Sequence, residues 1–184
     1  MSLTLIKEDG TGKANANAYA NAADGDAYHE GHLYASAWTG ATAANKDVAL
    51  VFATRLIDSQ FQFNGYRTDS RQSLQWPREQ CLDPDVNVAV LAGLFRRHDN
   101  YVESDVVPKA VADATCEMAR ELLITDRTAV PPGEGLKYEN TGTTQKGYDK
   151  GDRRPIISLV AQAMLAKYGS LVSGKSGAVR LVRA

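Results

Sequence analysis

The sequence predicts a mainly α-helical domain: a small bundle of about four helices joined by long loops, with a hairpin or loop late in the chain and an extended C-terminal arm. Apolar residues recur at three-four spacing in separated segments, the pattern of helices with one buried face. The stretches between them are rich in Gly, Pro, Thr and Asn, which favour turns over regular structure. A chain of 184 residues, 43% of them hydrophobic, is long enough to bury one real core. Residues 1–168 are expected to form the helical domain, including a hairpin or loop over 128–151, and residues 169–184 the arm.

At the N-terminus, an apolar run (Leu3, Leu5, Ile6) reads as strand-like and meets an acidic turn at Glu8, Asp9 and Gly10. The polar stretch after it ends at Asn21, which can cap a helix together with Asp24 three positions on. That first helix is expected over 22–32. A second is expected over 47–63, with Ala49, Phe52, Ala53, Leu56, Ile57 and Gln60 along one face. The third follows Pro108, a favoured first-turn residue, and carries Val111, Thr115, Met118 and Leu122 on one stripe. The fourth follows Pro155, with Ile156, Leu159, Val160 and Ala163 as its stripe and Gly169 as its stop. Leu56, Trp76, Met118 and Leu159 are expected to share one core.

The long connection between the second and third helices holds Trp76-Pro77-Arg78, where proline turns its neighbour out of helical geometry. Trp76, Pro77 and Arg78 read as an anchor, either filling a gap between helices or standing in a subunit interface. From Thr128 to Gly151 the chain is rich in Gly, Thr and Pro, and Leu136 to Tyr148 reads as a hairpin or a mobile loop.

A net charge of −1 argues against a dedicated nucleic-acid binder, whose footprint is a strong positive excess. The charge is uneven: residues 146–184 hold eight Lys/Arg against two Asp/Glu, and the remainder thirteen against twenty. The basic end is either a solvated terminus or an arm that docks on an acidic surface or on DNA. Cys81 and Cys116 lack metal-ligand spacing and read as reduced thiols. With neither a signal-peptide pattern nor a long apolar run, the chain is expected to stay off the membrane in a cytosol-like compartment.

Gly169, Gly174, Lys175 and Ser176 match the spacing of a phosphate loop, but a helical pattern precedes them and only a few residues follow. The segment reads as a Gly/Ser hinge. His29 and His32 are one residue too close for the zinc-protease helix pattern. Gly10-Thr11-Gly12-Lys13 reads as a turn, and Arg96-Arg97-His98 as a solvated basic cluster. No nucleophile-base set assembles, so neither catalysis nor a cofactor is expected.

The opening segment Thr4–Tyr28, the run Asp47–Phe61, the block Gln72–Arg78 (QSLQWPR), the helix after Pro155 up to Tyr168 and the basic end Val179–Ala184 occur in an order that resembles tailed-phage head-to-tail connector (adaptor) proteins. Some members of that family bear the label DnaT-like single-stranded-DNA-binding protein. The likeness covers nearly the whole chain outside 126–154. It implies a virion structural protein at the head-tail junction, assembled in the host cytoplasm, with no enzymatic activity. It further implies a homo-oligomeric, dodecameric ring under the phage portal protein, joined below by a tail or tail-completion protein. Genomic double-stranded DNA would pass through its channel without sequence specificity.

Within that picture the arm is the expected portal-docking element. Leu171 and Val172 precede the hinge, and Val179, Arg180, Leu181, Val182 and Arg183 follow it, β-prone residues with two cations suited to a strand edge or a groove. The alternative is a single-stranded-DNA-binding replication accessory protein, which needs a basic groove interleaved with exposed aromatics. Tyr19, Tyr28, Tyr34 and Trp38 cluster in a net acidic region, which counts against it.

Overall fold

The computed structural model describes residues 3–85, 100–130, 137–147 and 154–172. It is mainly helical, with five helices among the described residues: α1 (Ala22–Glu30), α2 (Ser36–Thr39), α3 (Ala43–Gln60), α4 (Lys109–Ile124) and α5 (Leu159–Leu165). Short strands connect them: β1 (Phe61–Phe63), β2 (Tyr66–Arg67), β3 (Arg78–Glu79), β4 (Tyr138–Thr141), β5 (Thr144–Gly147) and β6 (Gly169–Leu171). Helix α4 packs against α3 on one side and α5 on another, with α1 and α2 also resting on it. The core between them holds Leu50, Ala53 and Ile57 of α3 and Val111, Ala114 and Met118 of α4, joined by Tyr19, Trp38, Trp76, Ala161 and Leu165.

Local chemistry sets the helix ends. Asn21 and Asp24 form the expected capping box, each side chain accepting from the other's backbone N–H. Thr42 caps α3 by accepting from the Asn45 N–H, so the helix starts four residues before the position at which its apolar stripe becomes readable. It also ends earlier than expected. Phe61 and Phe63 are buried while Gln62 between them is exposed, a period of two that fits a strand. That strand, β1, pairs antiparallel with β6, Phe61 opposite Leu171 and Phe63 opposite Gly169.

Two expectations for the last helix are corrected. Its buried residues are Ala161 and Leu165, with Ile157 buried just ahead of it, whereas Leu159 is 72% and Val160 51% exposed, so Leu159 stands outside the core that holds Trp76 and Met118, with Leu56 partly buried against that core. The stripe taken from Pro155 was out of phase, because the helix begins only at its cap Ser158, whose hydroxyl accepts from the Ala161 N–H. The residues before it bend without forming a helical turn, and Arg127 ties them down, its guanidinium donating to the carbonyls of Pro155 and Ile156. Gly169 is not the helix stop either. It lies in β6, where a Cβ would sit 2.4 Å from the Gln62 carbonyl oxygen, so the close approach to β1 excludes any side chain.

The late hairpin is formed by β4 and β5, turning through Gly142 at φ +61. A single left-handed residue at the first central position suits the two-residue turn of an antiparallel pair. The N-terminal run Leu3–Ile6 forms no strand; the segment contributes only an isolated parallel bridge between Lys7 and Ala18.

Candidate functional site

The Gln72–Arg78 block folds into the interior of the long connection. Trp76 has no exposed surface and stands edge-on to Phe63 and to Tyr168. The Trp76–Pro77 bond is cis. The Arg78 side chain, 4% exposed, spends its whole donor fork on the chain around it. Nε donates to the Asn64 carbonyl at 2.8 Å, Nη2 to those of Gly65 at 2.7 Å and Phe63 at 3.3 Å, and Nη1 to the Gln75 carbonyl and side-chain oxygen at 3.0 and 3.1 Å. Gln72 bridges the carbonyls of Leu74 and Pro77. Tyr19 then ties the block to the N-terminal segment: its hydroxyl donates to Asp58 at 2.5 Å and accepts from the backbone N–H groups of Gln75 and Trp76. Burial pushes the Asp58 carboxyl up to about 6 despite these hydrogen bonds. Among the buried side-chain polar atoms of this constellation only Trp76 Nε1 lacks a partner, so the block is a lock on the loop.

The motif-like segments resolve similarly. The Gly10–Lys13 turn does wrap an anion, and the anion is the protein's own: Glu8, 1% exposed, accepts from the N–H groups of Gly10, Gly12 and Lys13 at 3.0, 3.0 and 2.8 Å. Gly10, at φ +100, also presses its backbone against the Asp105 carbonyl, where a Cβ would sit 1.7 Å away. His29 is buried with Nε2 3.2 Å from the Cys116 carbonyl, and burial holds its imidazole below the ordinary value. His32 faces Glu117 instead, at 3.7 Å. Among the described residues no group of three His, Cys, Asp or Glu side chains can hold a metal ion. Cys81 and Cys116 are both buried free thiols, that of Cys116 pushed up to about 12 by burial.

Of the expected docking residues, Leu171 and Val172 are described. They stand 40% and 55% exposed, at and just beyond the end of β6. Val179, Arg180, Leu181, Val182 and Arg183 lie outside the described residues, as do Gly174, Lys175 and Ser176 of the phosphate-loop-like segment and Arg96-Arg97-His98.

Sequence reading missed one surface feature altogether. A groove of about 890 Å³ lies between the β2–β3 ribbon and the segment before α4, with Tyr66 and Glu79 on one wall and Tyr101, Glu103 and Asp105 on the other. Its residues are far apart in the chain, so no local pattern could have announced it. Elsewhere, the β4–β5 hairpin exposes Tyr138 beside Lys137 and Lys146. Among the described residues no helix is long and apolar enough to cross a membrane.

The described residues define a mainly helical domain whose central loop is locked by buried polar bonds. The chain belongs to the family described as "Putative DnaT-like ssDNA binding protein", whose sequence profile matches residues 3–184. No curated protein and no solved structure matches it.

Proposed function

We propose that the chain is a head-to-tail connector subunit of a tailed phage, a virion protein without catalytic activity or cofactor that closes a dodecameric ring under the portal and extends the DNA channel towards the tail. The observation that carries this reading is the apolar surface left at one end of the chain. Leu159 and Val160 on α5 are 72% and 51% exposed, and Leu171 and Val172 at β6 are 40% and 55% exposed. Large aliphatic side chains grouped on neighbouring elements are what protein partners cover. The Gln72–Arg78 block supports the reading too, because the residues that carry the likeness to connectors are the ones on which this architecture depends.

Electron microscopy of the protein mixed with its portal tests it. The expected image is a ring of fixed stoichiometry seated on the portal, and portals that stay bare at saturating protein would refute it. A second reading, single-stranded-DNA binding, is favoured by the family's description and by the hairpin, which exposes Tyr138 next in sequence to Lys137 and opposite Gly147. Against it, Tyr19 and Trp38 are wholly buried, which leaves Tyr34 as the most exposed aromatic of the N-terminal cluster. Fluorescence anisotropy with a labelled oligothymidine separates the two: tight, salt-sensitive binding that Tyr138→Ala abolishes would establish the second reading.

A further inference from the structure

We propose that the acidic groove between the β2–β3 ribbon and the segment before α4 receives the basic C-terminal arm, residues 173–184, of a neighbouring copy of this chain. The inference does not rest on the connector reading, since it concerns only how two copies meet.

The groove is built before any partner arrives. Thr68 donates its hydroxyl to the Ser104 carbonyl, the Val102 N–H bonds the Cys81 carbonyl, and Asp83 N–H bonds the Asn100 carbonyl, so ribbon and segment are tied along their length. Behind the segment, Gly10 abuts the Asp105 backbone. Glu79, Glu103 and Asp105 line the groove, and a second cleft that shares Tyr101, Val102 and Glu103 adds Asp83. Among the described lining residues the one cation is Lys109, and its ammonium is already 2.7 Å from Asp113. Tyr66 and Tyr101 are 49% and 39% exposed and offer flat faces between the carboxylates. A surface of carboxylates and tyrosine rings fits an extended segment carrying arginines, which pair with the first and stack on the second.

The chain supplies such a segment. Its last twelve residues contain Lys175, Arg180 and Arg183 and no Asp or Glu, with Val179, Leu181 and Val182 between and beside the arginines. Strand direction selects the neighbour as donor. Tyr168, which borders the second cleft, stands at the start of β6. From there β6 runs antiparallel to β1 towards the end of α3, where the Val172 N–H bonds the Gln60 carbonyl. Up to Val172 the chain therefore runs away from its own groove. Extended at about 3.3 Å per residue, the arm spans about 40 Å, enough to cross to a second molecule. Groove and arm are different surfaces of one chain, so the contact is heterologous and repeats from copy to copy. Sequence alone sent this arm to the portal; the charge of the groove gives it a nearer target.

The test uses full-length chains in sedimentation velocity over a range of concentrations, with no portal present. Wild-type protein is expected to self-associate, more weakly as salt rises. Arg180→Glu with Arg183→Glu reverses the arm, and Glu103→Lys with Asp105→Lys reverses the groove; each variant alone should associate at least about tenfold more weakly. An equimolar mixture of the two should regain association, because each native arm meets a native groove and each reversed arm a reversed groove, and a chain carrying all four changes should regain it alone. Melting temperatures equal to wild type separate a lost contact from a lost fold, and should the groove variant misfold, the arm variant still decides. A wild-type chain that stays monomeric, or an arm-reversed chain that associates like wild type, overturns the proposal. So does a Tyr101→Cys, Leu181→Cys chain that forms only an internal disulfide, which would place the arm in its own groove. Bare portals beside intact self-association would refute the connector reading alone.

Discussion

Replacing Arg78 by lysine keeps the charge and removes the fork. The guanidinium makes five hydrogen bonds, to the carbonyls of Phe63, Asn64, Gly65 and Gln75 and to the Gln75 side chain. A lysine ammonium has three donors and no planar geometry, so at least two acceptors lose their partner. The Phe63 carbonyl lies in the buried part of the site, and leaving it unpaired costs about 1–3 kcal/mol. Asn64 and Gly65 are exposed residues whose carbonyls water can reach, so those bonds count only about 0.5–1.5 kcal/mol each. The sum is about 2–6 kcal/mol, a large fraction of the about 5–15 kcal/mol that holds a domain folded. Urea unfolding followed by circular dichroism reads the loss directly, and the melting temperature should fall by about 4–24 °C. Were Arg78 an interface residue, Arg78→Lys would fold as well as wild type and fail only in assembly. A change in stability below about 0.5 kcal/mol would therefore refute the lock and return Arg78 to the surface.

Leu165→Ala should cost about 2–5 kcal/mol by opening a cavity in the core, whereas Leu159→Ala, on the exposed face, should stay within about 0.5 kcal/mol; equal losses in thermal melts would reverse the face assigned to α5. Gly169→Ala forces a methyl to within 2.4 Å of the Gln62 carbonyl, so β6 should part from β1, read as fast amide exchange at Val172, whose N–H bonds the Gln60 carbonyl. Glu8→Gln turns an amide towards backbone donors that Glu8 now accepts from, and should cost about 1–3 kcal/mol in urea unfolding. Asp58, with its carboxyl raised to about 6 by burial, holds its proton more tightly in the fold than in the unfolded chain. Its contribution is fully present below the ordinary carboxylate value near about 4 and is lost as pH rises through about 6, on the order of 3 kcal/mol in all. Asp58→Asn should flatten that part of the stability profile, and an unchanged slope between about pH 4 and pH 6 would assign it to another group.

The parts of the fold legible in the sequence were those whose signals are local. Asn21 and Asp24 announce a helix start because a capping box is complete within four residues, and Val111, Thr115 and Met118 announce α4 because Pro108 fixes where its count begins. For α5 the proline misled: Pro155 precedes the helix, which starts at the cap Ser158, and the residues between are tied by Arg127, a partner that reaches them only after folding. The strand β1 hid behind α3 because Phe61 and Phe63 continue an apolar run, and only the exposed Gln62 betrays a period of two. Glu8 and Arg78 were read as turn and anchor, but their burial followed from partners close in sequence and not from any apolar pattern. The groove was beyond reach, since the β2–β3 ribbon and the segment around Tyr101 meet only in three dimensions.

What the buried polar groups accomplish is to make loops behave as scaffold. The described residues between α3 and α4, 61–85 and 100–108, form only short strands and turns, yet they are tied inward by Arg78, Gln72 and Ser73, the last donating to the carbonyls of Lys13 and Ala16, and to the N-terminal turn through the contact of Gly10 with Asp105. A loop fixed in advance loses less conformational entropy when a partner binds, so more of the contact energy appears as affinity. The same ties mean that damage at the centre should travel to the rim. Substitutions at Arg78 or Glu8 would loosen the walls formed by Tyr66 and Asp105 and weaken binding there without touching the partner. Charge reversals on the rim itself, at Glu103 and Asp105, leave those ties in place, because the bonds that hold this segment run through its backbone. Rim variants therefore report on recognition and hub variants on preorganisation, and the two classes separate by their melting temperatures.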